Sequence, residues 1–177
     1  INPAVTYLAP PGCRKILLEL GAKAEKIRSI SYGRSIDIDE GFSISACPAA
    51  HPDPVFDPEN VWALSYRLTF GSKSVFFAGD TTVYPQLTDW LISKPFDLLI
   101  LPVNGRSKEL EKNGIVGNMT LEEGMILSEM LDTPMLGVHF GMFEFNSIDS
   151  HAAFHRINNF GMDDRAQLSE LDTVYSL

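Results

Sequence analysis

The stretch Val75-Phe76-Phe77-Ala78-Gly79-Asp80-Thr81-Thr82 decides how the rest of the chain is read. Two aromatics lead into a glycine that lets the backbone turn tightly, and Asp80 then stands off the end of a strand. Loops at strand ends are where a rigid scaffold holds reactive groups. Two other apolar runs end in the same way. His51 follows Ile44-Ser45-Ala46-Cys47-Pro48-Ala49-Ala50, and His139 follows Met135-Leu136-Gly137-Val138. Two imidazoles and a carboxylate, delivered one per strand end, are the usual materials of a zinc- or manganese-type site. Read alone, Asp80 serves as readily as a cap for the following turn. Taken alone, a histidine such as His51 is more often structural or solvated than a ligand. Asp53 either orients the His51 imidazole or belongs to a turn.

Working outward, Pro11 to Leu20 reads as a helix with Ile16, Leu17 and Leu20 on one face, stopped by Gly21. Lys26 to Ser31 reads as a strand. Phe42, Ile44 and Ala46 alternate with Ser43, Ser45 and Cys47, the pattern of a half-buried strand. His51 to Asn60 is a proline-bearing acidic loop. Trp62 to Phe70 and Lys73 to Ala78 flank Gly71-Ser72 as a hairpin. Tyr84 to Ser93 reads as a helix, and Phe96 to Val103 as a buried strand. Asn104 to Asn118 reads as a polar loop. Thr120 and Glu123 form a capping box at the head of a helix running to Leu131. Pro134 to His139 reads as a strand and Asp149 to Phe160 as a helix, and Thr173-Val174-Tyr175 could add an edge strand. The antiparallel pieces come first and the β-α-β units later, which suits an α/β fold with a mixed sheet.

A chain of 177 residues, 45% hydrophobic and 21% charged, is enough for one domain with a real core. A net charge of −9 argues against nucleic acid as a partner. No apolar run approaches membrane-spanning length, and no signal peptide is seen. Cys13 and Cys47 are too few for a disulfide framework, so a cytoplasmic setting is the simplest inference. His151 and His155 stand at i and i+4 on a helix, a legitimate metal spacing, but no glutamate sits between them as a zinc-protease helix requires. Ala153, Ile157 and Phe160 fall on the opposite face, so the pair reads as solvent-facing. There is no phosphate-cradling glycine loop and no Gly-x-Ser-x-Gly elbow.

Taken in order, Tyr7-Leu8-Ala9-Pro10, Gly33 with Ile36-Asp37-Ile38, Ala49-Ala50-His51, Phe76 to Thr81, Leu99-Ile100-Leu101-Pro102-Val103-Asn104-Gly105-Arg106, Asn118-Met119-Thr120-Leu121-Glu122-Glu123 and Val138-His139-Phe140 resemble the metallo-β-lactamase-fold hydrolases. More narrowly they resemble the branch that contains L-ascorbate-6-phosphate lactonase. The resemblance covers nearly the whole chain. It implies one domain over residues 1–177, an αββα sandwich incomplete at its N-terminal side. It implies two divalent ions, zinc or manganese, in the intact parent. His51 would complete the first ion's ligand set, Asp80 would bridge the two ions and orient the nucleophile, and His139 would belong to the second.

Asn104 and Arg106 are candidate contacts for a small, anionic substrate. The family's His-x-His-x-Asp-His motif is not in this chain, which opens on Ile1-Asn2-Pro3, so the chain is expected to be the C-terminal portion of such a domain. The expected activity is lactone or ester opening by a metal-activated water. The alternatives are a phosphodiesterase on the same scaffold or a non-catalytic piece that keeps the scaffold alone. A sandwich lacking half its layers should expose apolar surface, so a homo-oligomer is expected.

Overall fold

Side-chain alternation along the strands divides the core in two. The computed structural model describes residues 1–2, 4–141 and 146–177. Pro3 of the opening tripeptide, and Met142 to Phe145 of the aromatic loop after His139, lie outside the described residues. Two short strands, β1 (Tyr7–Ala9) and β2 (Ile27–Ser29), pair in parallel as a small sheet of their own. Seven further strands form one mixed sheet in simple sequence order. These are β3 (Ser35–Asp39), β4 (Phe42–Pro48), β5 (Leu64–Phe70), β6 (Lys73–Phe77), β7 (Leu98–Pro102), β8 (Met135–Val138) and β9 (Ala166–Leu168).

From β3 to β6 the pairing is antiparallel, and from β6 to β9 it is parallel. Tight turns bearing Gly41 and Gly71 connect β3 to β4 and β5 to β6, and the long loop 49–63 connects β4 to β5. Parallel neighbours need crossovers, and helices fill them. Helix α2 (Pro85–Ile92) precedes β7, α3 (Lys108–Lys112) and α4 (Leu121–Met130) precede β8, and α5 (Ser150–Asn159) precedes β9.

Register fixes which residues share a face. Arg67, Phe76, Leu99, Met135 and Ala166 lie in one row across β5 to β9. This face carries the larger core, with Leu87 and Leu91 of α2, Leu121 and Met125 of α4, and Ala153 and Ile157 of α5 packed upon it. The other face shows the row Ala46, Tyr66, Phe77, Ile100, Leu136 and Gln167. At its antiparallel end the β1–β2 unit covers it, burying Ile30, Ala46, Val61 and Leu64 beside Leu8 and Tyr32. Within this row Phe77 is 42% exposed, whereas Leu136, two strands further, is buried at 8%.

The expected α/β class, with a central mixed sheet and helices, is therefore the architecture found. Some local expectations differ. The first helix, α1, is shorter (Arg14–Glu19, after a 3-10 turn) and buries none of its residues. An apolar stripe needs a covering layer, and none of the described residues lies over Ile16 or Leu20. The polar loop after β7 contains α3, capped by Ser107, whose hydroxyl accepts from the Leu110 N–H. The edge strand is Ala166–Leu168, and Thr173 to Tyr175 are not in a strand. Phe160 ends α5 exposed. Among the described residues no helix is long and apolar enough to cross a membrane.

Candidate functional site

Gly79 carries the chain off β6 at a φ of 60°, a left-handed conformation that glycine adopts without strain. This turn lifts Asp80 clear of the sheet edge. His139 follows β8 directly and takes the left-handed region itself, with a φ of 61°. Few non-glycine residues adopt it, and such backbone outliers gather at functional sites. The Val103 N–H donates to the Val138 carbonyl at 2.9 Å, which holds the β7 and β8 ends together beneath the histidine.

The two turns bring the His139 Nε2 to 3.4 Å from the Asp80 Oδ1, and both side chains stay partly open to solvent, 33% and 49% exposed. That separation is beyond the usual 2.7–3.2 Å of an N–H···O bond. It matches the ~3.4 Å between two ligands that each lie ~2.1 Å from one tetrahedral ion. As a pair, Asp80 and His139 thus suit two positions of a zinc-like shell.

His51, half-buried, lies on the neighbouring loop. The Ala50 N–H donates to the Thr81 hydroxyl at 2.8 Å, and the Thr82 N–H donates to the Ala50 carbonyl at 3.1 Å. His51 and Asp80 therefore flank the same two bonds. Asp53 is exposed. Among the described residues, however, no three His, Cys, Asp or Glu side chains are gathered closely enough to hold a metal ion. The pair fits an ion, but the full ligand set does not assemble from these residues. His151 and His155 sit exposed on α5 and are not gathered with the pair.

The loop after β7 is built around two side chains. Asn104, only 7% exposed, accepts a bond from the Asn118 amide at 3.0 Å. Asn118 itself is buried, with no donor on its Oδ1. The Met119 N–H donates to the Thr81 carbonyl at 3.1 Å, and the Gly105 N–H to the Met119 carbonyl at 2.9 Å, which joins this loop to the one bearing Asp80. Arg106 does not reach outward. Its guanidinium forks onto both oxygens of Glu123 at 2.6 Å each and also donates to the Asn118 carbonyl at 3.0 Å.

The hydrogen bonds from Arg106 hold the Glu123 carboxyl below the usual range, and the same bonds raise the guanidinium. Glu123 also closes the expected capping box with Thr120. Sequence spacing revealed Glu123 as a cap but not as the partner of Arg106, which lies 17 residues away.

Residues 2–140 match the model of the Beta-lactamase superfamily domain. No curated protein sequence matches the chain. Among solved structures, a metallo hydrolase of Ignicoccus hospitalis, Igni18, superposes with a TM-score of 0.70 at 15% identity, over 98% of this chain and 68% of that one. An isothiocyanate hydrolase from Delia radicum gut bacteria gives 0.75 at 14% identity, over 92% of this chain and 63% of that one. CmlA of Streptomyces venezuelae, a diiron β-hydroxylase, gives 0.69 at 15% identity, over 93% of this chain and 38% of that one. At such identities the likeness is one of fold. The chain spans about two thirds of the length of the two hydrolases. With the family model covering residues 2–140, the chain belongs to the beta-lactamase superfamily, on the fold its metallo-hydrolases share.

Proposed function

We propose that this chain carries part of the active site of a metal-dependent hydrolase, lactonase-like, acting on a small lactone or ester. The observation that carries the reading is the 3.4 Å approach of His139 Nε2 to Asp80 Oδ1 at the sheet edge. Asp80 and His139 are the residues we assign to one divalent ion, zinc or manganese, and His51, on the adjacent loop, would serve the first of two ions. Such an ion, when bound, supplies Lewis acidity and makes water acidic near neutral pH.

The chain's own residues do the positioning. For Nε2 of His139 to offer its lone pair, the ring proton must sit on Nδ1. Asp80 sets the negative charge at the same point and aligns the attacking oxygen. Asn104, buried at the end of β7, is the residue we place against the substrate. Arg106, closed on Glu123, holds the wall behind it.

The test has two parts. Zn(II) is titrated into the chain and followed by NMR at His139, with His139→Ala and Asp80→Asn beside it. Neutral lactones, p-nitrophenyl esters and bis-p-nitrophenyl phosphate are then assayed with the chain and with a version extended at its N-terminus. Shifts at His139 that vanish in both variants, with lactone opening in the extended protein, support the proposal. Turnover of the phosphodiester alone replaces it with the phosphodiesterase reading. No zinc-dependent shift at either residue leaves a non-catalytic scaffold.

A further inference from the structure

The pair His151 and His155 is not used by the site above. Both lie on α5, a helix of 10 residues whose cap, Asp149, accepts from the Ala152 N–H at 2.8 Å. Ala153 and Ile157 of the same helix point into the core and are 3% and 4% exposed. At 3.6 residues per turn, His151 and His155 stand about 200° around the helix from them, on the solvent side. Their rings meet edge to face with centroids 4.5 Å apart. The packed face therefore anchors the helix, and the two imidazoles project together from its outer surface. Arg156, the cation next in sequence, is engaged with Glu122 at 2.9 Å, so its charge is locally balanced. The chain as a whole carries −9, which favours an approaching cation.

We propose that His151 and His155 form a two-imidazole chelate for one borderline transition-metal ion, with Cu(II) preferred over Ni(II) and Zn(II), and water completing the shell. Residues four apart on a helix are neighbours on its surface, so both rings reach one ion without moving the backbone. Imidazole nitrogen suits copper, nickel and zinc, and gives no purchase to Mg(II) or Ca(II), which take oxygen ligands. Once one ring has bound, the second binds intramolecularly at high effective concentration, and this makes a pair different from two separate histidines. The site is independent of Asp80 and His139, and it would appear in any metal analysis of this protein beside them.

The experiment is a titration of the full chain with Cu(II), Ni(II) and Mg(II), followed by calorimetry and by paramagnetic broadening of the histidine NMR signals. His151→Ala, His155→Ala and His139→Ala are titrated in parallel. The exposed α5 variants keep the fold, checked by circular dichroism. The tightest binding event is expected at α5, with broadening first at His151 and His155. Either single α5 substitution is expected to weaken this event roughly a hundredfold, the chelate gain, while His139→Ala leaves it unchanged. Mg(II) is expected not to compete. Affinity unchanged in His155→Ala, or broadening that begins at His139, overturns the proposal.

Discussion

His139 meets Asp80 over the top of β7. The two residues follow β8 and β6, which are not neighbours in the sheet, yet Nε2 and Oδ1 stand 3.4 Å apart. Strands two places apart are separated by about 9–10 Å, so the side chains must lean toward each other, helped by the left-handed backbone at Gly79 before Asp80 and at His139 itself. If one ion uses both atoms, the residues act as a unit. We predict that Asp80→Ala and His139→Ala each weaken zinc binding at this edge at least roughly tenfold, and that the double variant is little worse than either single one. Additive losses, measured by calorimetry in the His155→Ala background to silence the α5 pair, would show that the two residues bind separately.

The Arg106–Glu123 fork makes the stability of the β7–α4 region depend on pH. The folded Glu123 carboxyl lies below its unfolded value of about 4.3, so its contribution is fully present above that value and disappears as pH falls through the folded value. Glu123→Gln is expected to cost about 1–2 kcal/mol at neutral pH, measured by urea unfolding. The gap between variant and wild type should close as the pH falls through the folded Glu123 value. A gap that stays constant from pH 7 to pH 3 would mean that the fork contributes nothing ionic.

Much of this was legible in the chain, and what was missed shares a cause. His51, Asp80 and His139 follow apolar strand runs, and Thr120 with Glu123 obeys a three-residue rule, so local periodicity exposes them. Local signals are silent on who meets whom over long separations. Arg106 looked free because Glu123 is far along the chain, and its fork appears only once β7 and α4 pack. Helix α3 hides in Lys108 to Lys112 because a short polar helix has no apolar stripe. The strand Ala166–Leu168 is too short to show alternation and exists because β8 offers it a parallel edge. The exposed Phe160 reflects a helix that ends just before its residue would turn inward.

Burial separates the two cysteines. Cys47 is 4% exposed, and burial pushes its thiol up to about 12, so almost no thiolate exists at neutral pH. Cys13 is only half-buried and donates to the Trp62 carbonyl at 3.1 Å. With a disulfide-exchange reagent at pH 8, Cys13 is expected to label first and Cys47 only on unfolding. Equal rates would place Cys47 outside the core cluster.

Gly117 is the position where the loop beside Asn104 tolerates no side chain. A Cβ there would come 2.4 Å from the Gly105 carbonyl oxygen and 2.6 Å from the Arg106 Cα. These are backbone atoms that cannot swing aside. Gly117→Ala should destabilise the protein by at least about 2 kcal/mol and break the Asn118–Asn104 bond. A thermal midpoint within a degree of wild type would contradict the close approach.

The bonds between Ala50 and the Thr81-Thr82 step have a further consequence. Thr81 is fully buried, and its hydroxyl holds the Ala50 N–H while the next amide returns a bond to the same residue. The loops that carry His51 and Asp80 are thereby one mechanical piece. The entropy of setting their separation is lost when the protein folds and is not lost again each time a ligand arrives. Stiffness at this edge thus belongs to a residue that neither titrates nor faces solvent.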